Sequence, residues 1–596
     1  MSIVPLKRVT IYGLTSDKPT LLDELQDAGC MHLLPLCPPH PLALSDPELM
    51  RRAKAAHRHL RYAPVKLSPW PRRHKIDLAQ VIGDTLRNKT TLRRANDKRD
   101  ALVARIAALS PFGNFVLPPE ADLRGRKLWF YMLPAKNRAA LARIDLPWQI
   151  VGEEKRILYV VVVAKDEPAA DLLPVPRTHT GSRALADLQA ELEQTEIEIE
   201  DAQTERAQLA RSELALGLGL EDAEDAEDRR AADGMTRDEG RLFALQGWVP
   251  EPDAPRLAEL AGRQDLALVV EAPAKDDTPP TLLENPGALS GAGGLTTFFK
   301  VPDYATWDPS LIVYFSFAIF FAMILADAGY AAVLGLLLAF YWRRMGRSMG
   351  ARKARAMLIG ILAVAFVYGC MVGGYFGVEP PKGSLLDKIA FIDVNNFAVM
   401  MRFSIVVGVL HIALANAEIV VRRWGTWTAV ESWAWIVVLF SGLLIWLLPM
   451  TVWYAVLAAG LVVVALAAGA EHPIERPLDW LLRIAFGILG ATHVTKLFGD
   501  ILSYMRLFAL GLASASLATT FNHLAGEVAS GHPGLGVLFA ILILVFGHLI
   551  NIALGILSGV VHGLRLNYIE FFGWALPGEG YPFKAFKRRN RTSWKV

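Results

Sequence analysis

The chain has 596 residues, of which 53% are hydrophobic, and a formal net charge of +3. This length predicts at least two structural units. So small a charge, placed in short basic clusters beside apolar segments, argues against a nucleic-acid-binding protein. We find neither a Walker-type Gly-Lys-Ser/Thr segment nor a His-Glu-x-x-His motif, so the sequence predicts no nucleotide site, no cofactor and no metal.

Residues 1–300 are predicted to form a cytoplasmic domain that is α/β at its two ends. The N-terminus has no apolar core of signal-peptide length, and the odd set of Cys30, Cys37 and Cys370 is typical of free thiols in a reducing compartment. A strand–helix–strand start is predicted over Lys7–Leu14, Lys18–Ala28 and Met31–Leu36, and a second β-rich region over Lys127–Leu133, Trp148–Val151 and Arg156–Ala164, with a helical piece over 135–144.

Two polar helical stretches, Leu78–Leu109 and Ser182–Leu220, are predicted to pair as an antiparallel coiled coil that joins these α/β ends. In the second stretch one heptad seam contains Leu185, Leu188, Leu192, Ile199 and Leu209, and Arg206 interrupts it. Two independent surface helices are the alternative, because neither stretch has many clean heptads. The acidic segment Glu221–Asp233 is predicted to be a solvated bend.

A segment rich in Pro, Gly and Asp precedes the first apolar run, and we place a linker at 301–310, a membrane domain at 311–574 and a basic cytoplasmic tail at 575–596. Eight transmembrane helices are predicted, of which the last two are long and tilted. They are a hairpin within Leu311–Trp342 that turns at Asp327, followed by spans at 355–378, 398–420, 432–449, 452–470, 485–528 and 534–568.

Basic residues support this count. With a cytoplasmic N-terminus, the six Lys/Arg of Arg343–Arg355, the Arg422-Arg423 turn, Glu471–Arg483 and the tail Lys584–Lys595 all fall on the cytoplasmic side. The sequence therefore predicts a multi-pass integral membrane protein with both termini in the cytoplasm. We expect the membrane to be that of a prokaryotic cell.

Arg506 lies in the middle of an apolar span, where a charge that cannot be lost costs about 2.5–3.5 kcal/mol and marks an ion path. One helical face contains Arg506, Ala509, Ala513, Ser516, Thr520 and His523. Small residues on this face allow a neighbouring subunit to approach closely.

The last span has a second face of the same kind, made of His548, Asn551, Gly555, Ser558, His562 and Arg565. A polar stripe of this length is able to line water. Packing is the alternative for the single histidines, interhelical hydrogen bonding for Asn551 and Ser558, and an interfacial position beside Glu570 for Arg565.

Around these residues the sequence resembles the a/I subunit of V-type and archaeal-type rotary ATPases. The resemblance rests on the Ser-Tyr-x-Arg-Leu segment at Ser503–Leu512, on Val561–Phe572 and on the Gly-Glu-Gly-Tyr tail at Gly578–Phe586. Shorter matches are Ser110-Pro-Phe-Gly, Gly247-Trp-Val-Pro, Pro279-Pro-Thr, Asn285-Pro, Asp308-Pro and the turn at Asp327. Ser514 and Gly555 replace a His and a Glu of vacuolar members, so half-channel residues of those members are not transferable.

The resemblance implies a static membrane subunit that forms two ion half-channels against a rotor ring of proteolipid c subunits. It implies that Arg506 faces the ring carboxylate, with Arg565 as a second arginine, and that the chain contacts peripheral stalk subunits, the lipid bilayer and, indirectly, the central stalk and the ATP-hydrolysing head. The nucleotide chemistry then belongs to partners. Half-channel nominations are His562, His548, Asn551, Ser558, Ser503, Asp500, His493, Glu418, Glu570 and His523. The alternatives are a secondary transporter with a cytoplasmic regulatory domain, which predicts internal repeats, and a structural membrane anchor, which does not need Arg506.

Overall fold

The computed structural model describes residues 3–37, 47–65, 67–70, 76–113, 123–169, 173–178, 184–274, 276–285, 291–346, 348–393, 396–470, 479–531, 534–576 and 578–589. Contacts divide the chain into one unit of Met1–Leu36 with Thr236–Lys587 and a second of Cys37–Met235 with Arg588–Val596. Several predicted features lie wholly or partly outside the described residues: Pro286, Arg347, the loop 471–478 and the tail from 590 onward.

The strands and helices are as follows. The strands are β1 (Leu6–Leu14), β2 (His32–Leu34), β3 (Lys127–Pro134), β4 (Trp148–Glu154), β5 (Ile157–Ala164), β6 (Arg177–Thr178), β7 (Arg237–Glu239), β8 (Leu242–Pro250) and β9 (Ala267–Glu271). The helices outside the apolar region are α1 (Lys18–Ala28), α2 (Pro47–Arg61), α3 (Leu78–Leu109), α4 (Leu185–Leu209), α5 (Glu213–Met235), α6 (Ala254–Arg263) and α7 (Ala292–Phe299). The rest are α8 (Ser310–Leu325), α9 (Ala328–Phe340), α10 (Trp342–Met345), α11 (Met349–Val372), α12 (Leu385–Ile389), α13 (Phe397–Arg422), α14 (Trp427–Leu447), α15 (Thr451–Ala470), α16 (Asp479–Ser503), α17 (Met505–Gly531), α18 (Leu535–Arg565) and α19 (Phe572–Ala575), with a π-helix at Leu566–Phe571.

The sheet of the first unit has the order β2-β8-β1-β9, with β7 paired to β8. The predicted strand–helix–strand start is confirmed, but β1 and β2 are not neighbours, because β8 lies between them and pairs antiparallel with both. With α6 between β8 and β9, this is a split βαβ arrangement. Gly247 is required in β8, since a Cβ there would lie 2.4 Å from the His32 carbonyl oxygen.

In the second unit, β3–β6 form an antiparallel sheet of order β4-β5-β3-β6, so the second β-rich region is confirmed. Leu133, Leu158, Val160 and Val162 of its core are fully buried. The predicted helical piece is a 3-10 helix over Ala135–Arg143.

The antiparallel helix pair is also confirmed, in the second unit. Leu102 and Leu109 near the end of α3 pack on Leu188 near the start of α4, whereas Ile82 near the start of α3 packs with Leu216 of α5. The helix α2, which the sequence analysis did not include, joins this bundle through Ala56 and Leu60.

Arg206 interrupts the heptad seam because it binds α2 instead of α3. Its guanidinium donates to the carbonyl oxygens of His59, at 2.7 and 3.1 Å, and Tyr62, at 2.8 Å. These carbonyls lie at the C-terminal end of α2, where the helix dipole favours a cation. Partial burial lowers the pKa of the Arg206 guanidinium.

The prediction of a solvated bend at 221–233 is wrong, because these residues lie inside the continuous helix α5. Cations neutralise the acidic run: Glu224 pairs with Lys54 at 2.6 Å and with Arg589 at 2.7 Å. The backbone amide of Arg589 also donates to the buried carboxylate of Asp225. Counting charges along the sequence missed these partners from distant segments.

In the ranges that the structure describes, six helical segments are long and apolar enough to cross a membrane: Gly350–Val372, Phe397–Arg422, Trp427–Leu447, Thr451–Ala470, Leu481–Gly531 and Leu535–Ala575. The helices α8 and α9 are apolar but have only 16 and 13 residues, about 24 and 20 Å at 1.5 Å per residue. Because a hydrocarbon core is about 30 Å thick, the count of eight is not confirmed.

The split of Leu311–Trp342 into a hairpin is confirmed. Gly360 of α11 approaches Tyr314 in α8, and Gly369 approaches Ala328 at the start of α9. Arg355 near the start of α11 donates to the Trp342 carbonyl oxygen beyond the end of α9. Thus α8 runs parallel and α9 antiparallel to α11. The turn has Ala326 at φ 47° and Asp327 as the N-cap of α9.

The predicted single helix over 485–528 is interrupted at Tyr504, between α16 and α17. Tyr504 is fully buried, and its hydroxyl lies 2.7 Å from Nδ1 of His411 in α13. A Cβ on Gly408, also in α13, would lie 2.7 Å from the Tyr504 ring. A large side chain seated in the neighbouring helix therefore sets the break, two residues before Arg506.

Candidate functional site

Arg506 lies in the first turn of α17, directly after the break. Its Nε donates to the carbonyl oxygen of Ser503 at 3.1 Å, and its Nη2 donates to Oε1 of Glu570 at 2.9 Å. The Arg506 side chain is 27% exposed and that of Glu570 only 2%. The site thus holds a positive charge within a helical segment that is long and apolar enough to cross a membrane.

The π-helix at Leu566–Phe571 places Glu570. Such a segment shifts the residues after it around the helix axis relative to a regular α-helix, and it often occurs at functional sites. Oε1 of Glu570 also lies 4.0 Å from Nε of Arg565, so one carboxylate serves two guanidinium groups. Oε2 is buried and accepts no hydrogen bond within normal geometry from the described residues, although the Ser503 side chain lies near the carboxylate.

The predicted small polar face of α17 is open in this chain. Beyond the half-buried Arg506, its members Ala509, Ala513, Ser516, Thr520 and His523 are exposed. The opposite face, with Gly511, Ser514, Ala518 and Ala525, is buried against the rest of the unit. The helix therefore presents a smooth surface of small side chains that begins at a cation.

The second predicted stripe, on α18, is mainly a packing surface in its centre. Asn551 and Gly555 are buried, His548, Ser558 and His562 are partly buried, and Arg565 is exposed. Glycines on the same side allow close approach, since Gly559 lies against Phe321 and Gly563 against Phe317 of α8. Of the stripe, His562 and Arg565 lie near Arg506 and Glu570.

A hydrogen-bond network surrounds the other end of the stripe. The His548 ring nitrogens contact the Tyr330 hydroxyl at 2.7 Å and the Asn522 Oδ1 at 3.0 Å. Asn551 Nδ2 donates to the Tyr330 hydroxyl at 3.0 Å and to the Ser514 carbonyl oxygen at 2.9 Å. The sequence predicted His548 and Asn551 as site residues but not Tyr330 and Asn522. A signal for both was present, because Tyr330 lies three residues after Asp327 of the hairpin turn and Asn522 directly precedes His523.

We expect Asn551→Leu to destabilise the membrane unit by about 1–3 kcal/mol, because the buried Tyr330 hydroxyl and the Ser514 carbonyl lose a donor. The apparent melting temperature of the purified chain measures this loss. Ser558→Leu, a polar-to-leucine change on the same helix, is the control and is expected to change it much less. Equal melting temperatures for Asn551→Leu and the wild type would contradict a structural network.

An open cavity of 1290 Å³ lies beside this network, between the segment 372–393 and the C-terminal half of α17. Among the described residues, its charged lining is mainly acidic, with Lys382 beside the carboxylates of Asp327, Glu379, Asp387, Asp393 and Glu527. His523 also lines the cavity, and its Nδ1 lies 3.5 Å from the Glu527 carboxylate. A cavity lined in this way attracts cations and is wide enough for water.

The remaining nominated residues lie apart from Arg506 or contact other groups. His493 is exposed on α16, and Asp500 accepts a hydrogen bond from the Trp574 indole at 2.7 Å. Glu418 pairs with Arg422 at 2.5 Å near the end of α13. The structure thus joins Ser503, Arg506, His562, Arg565 and Glu570 into one group, and His548 and Asn551 into another.

Comparison with known proteins gave no matching family model. The chain is 29% identical over 387 residues to the A-type ATP synthase subunit I of Methanocaldococcus jannaschii. This alignment covers 58% of this chain and 55% of the relative. It is 25% identical over 421 residues to the V-type ATP synthase subunit I of Chlamydia pneumoniae, covering 59% and 61%. The matches thus span little more than half the length of these relatives.

One solved structure aligns with 44% of this chain, and the alignment covers 99% of that structure. It is the crystal structure of the cytoplasmic N-terminal domain of subunit I, a homologue of subunit a of V-ATPase. Its 19% identity and TM-score of 0.23 are too low to support a conclusion about the fold. The apolar helices and the sequence relatives together support an integral membrane protein. The chain is a relative of the subunits I of A-type and V-type ATP synthases.

Proposed function

We propose that this chain is the static membrane subunit of a V/A-type rotary ATPase or ATP synthase, which couples proton or sodium translocation to rotation of a ring of c subunits. The observation that carries the proposal is the position of Arg506, a cation at the start of an exposed face of small residues, within a helical segment long and apolar enough to cross a membrane. A face of this kind suits close passage of a neighbouring helix that bears a carboxylate.

In the proposed mechanism, the charge of Arg506 controls whether the ring carboxylate is protonated. A protonated ring carboxylate is neutral and able to face lipid, whereas a nearby cation favours the ionised form. A ring carboxylate that reaches Arg506 therefore releases its proton, and the fixed charge opposes direct passage of a cation past this point. Glu570 supplies the negative charge that Arg506 needs when no ring carboxylate faces it.

Two access routes complete the mechanism. The acidic cavity beside Asp327 and His523 is proposed to lead from the non-cytoplasmic side, because it opens among the loops opposite the basic segments. The group of Ser503, His562 and Glu570 at the cytoplasmic end of α18 is proposed to lie on the second route. Ions that enter by one route and leave by the other make rotation directional.

The soluble parts are proposed to act as the stator arm. The antiparallel helices α3 and α4 and the sheet of β3–β6 form a unit with its own core, suited to contact peripheral stalk subunits. The ATP-hydrolysing head and the central stalk then belong to partner chains. Both termini are proposed to lie in the cytoplasm of a prokaryotic cell.

Photocrosslinking in the assembled complex tests the rotor-facing surface. Cys30, Cys37 and Cys370 are replaced by serine, a single cysteine is introduced by Ala513→Cys on the exposed face of α17, and it is labelled with a benzophenone maleimide. We expect irradiation to attach a small carboxylate-bearing membrane subunit, identified by mass spectrometry.

The matched control is Val462→Cys, which is 58% exposed on α15, an apolar helix that packs against α14 and α16. Its label is expected to give no such product. A product of equal yield from both positions, or none from position 513 in an intact complex, would sink the assignment of this face.

A further inference from the structure

A basic cluster at the junction of α9, α10 and α11 has no place in the proposed translocation mechanism. It consists of Arg343, Arg344, Arg352 and Lys353, all of them exposed. In the part of the chain that the structure describes, none of the four forms an ion pair within 4.0 Å. The sequence has no Asp or Glu from Ala328 to Val378, so no local carboxylate neutralises them.

The junction is held together by a fifth basic residue. The Arg355 guanidinium lies 3.9 Å from the centre of the Trp342 ring and donates to the Trp342 carbonyl oxygen at 3.2 Å. These contacts join α10 to the first turns of α11 and keep the four exposed cations close together. The cluster is therefore a built surface and not four independent side chains.

Its cations also stand near the positive end of a helix dipole. Arg352 and Lys353 follow the first turn of α11, whose N-cap is Ser348. Cations are disfavoured at a helix N-terminus, whereas an anion there is stabilised by both the dipole and the side chains. The cluster therefore combines four cations with a helix start, a combination that favours an anion.

The neighbouring surface shows where that anion comes from. The end of α9 exposes apolar side chains, with Leu336 at 71% and Phe340 at 80%, and Tyr341 and Trp342 follow with partly exposed rings. Aromatic residues of this kind mark the interface between hydrocarbon and headgroups. A ligand at the cluster thus has an apolar surface below its charged group, as a lipid requires and a free phosphate does not.

We propose that this junction binds the phosphate headgroup of an anionic diacyl phospholipid, with its acyl chains along the exposed end of α9. The site does not depend on the proposed ion-translocation function. Each basic residue near an anionic membrane surface contributes about 1 kcal/mol, equivalent to about fivefold in binding.

Native mass spectrometry of the purified full chain, in detergent with added phosphatidylglycerol or phosphatidylcholine, tests the proposal. We expect Arg343→Gln/Arg344→Gln/Arg352→Gln/Lys353→Gln to weaken binding of phosphatidylglycerol more than tenfold and to leave phosphatidylcholine unchanged. A second variant, with the three arginines changed to lysine, is expected to bind within threefold of the wild type.

The matched control removes four exposed cations from α3, by Lys89→Gln, Arg93→Gln, Arg94→Gln and Arg105→Gln. It has the same net charge as the cluster variant and is expected to bind phosphatidylglycerol normally.

Equal losses of phosphatidylglycerol binding in both variants, or no loss in the cluster variant, would overturn the proposed site. Displacement of the lipid by millimolar inorganic phosphate would assign the site to free phosphate and would overturn the proposal as well.

Discussion

Replacing Arg506 by glutamine is expected to reduce ATP-driven ion uptake into proteoliposomes of the assembled complex by roughly a hundredfold or more. This is the loss that follows when a preorganised charge is removed from the point where it acts. Glutamine keeps one amide donor but removes the positive charge, and its shorter side chain loses the two contacts that Nε and Nη2 make with Ser503 and Glu570. Arg506→Lys retains the charge without the planar fork, so partial uptake is expected.

The control is Arg402→Gln in α13, an exposed arginine that makes no ion pair within 4.0 Å in the described ranges. Uptake within about twofold of the wild type is expected, since exposed charges of this kind contribute little. Copurification of the other subunits shows that each variant assembles. An assembled Arg506→Gln complex that pumps like the wild type would remove the basis of the proposed function.

The face of α17 was predictable because helical periodicity is a local property. Ala509, Ala513, Ser516 and Thr520 step by three and four residues after Arg506, and the structure leaves all of them exposed. The two-residue turn at Asp327 was predictable for the same reason, since it interrupts a run too long for one helix. Whether any of the nominated residues, Arg506 included, lines an ion path stays a prediction.

The features that the sequence analysis missed depend on contacts between distant segments. Tyr504 breaks the helix because His411 and Gly408, about a hundred residues earlier, receive its ring. The strand β8 enters the sheet between β1 and β2 although more than two hundred residues separate it from β2. No local pattern predicts the π-helix that places Glu570 beside Arg506, because it depends on the packing of α18 on α8 and of Phe571 on His411 of α13.

Glu570→Gln is expected to destabilise the membrane unit by about 3 kcal/mol and to lower its apparent melting temperature by several degrees. The substitution leaves the two guanidinium groups of Arg506 and Arg565 without the carboxylate that lies between them. Loss of one partner from a buried pair typically costs about 3–5 kcal/mol, and we expect the lower end because the arginine side chains are 27% and 48% exposed.

A charge-balanced double variant separates electrostatics from packing. In Arg565→Gln/Glu570→Gln only Arg506 stays uncompensated, so we expect part of the lost melting temperature to return. The control Glu418→Gln breaks the more exposed pair with Arg422 and is expected to cost less than about 1 kcal/mol. If the double variant melts no higher than Glu570→Gln, repulsion between the two arginines is not the cause. If Glu570→Gln melts like Glu418→Gln, Glu570 is not the counter-charge that allows Arg506 to lie at membrane depth.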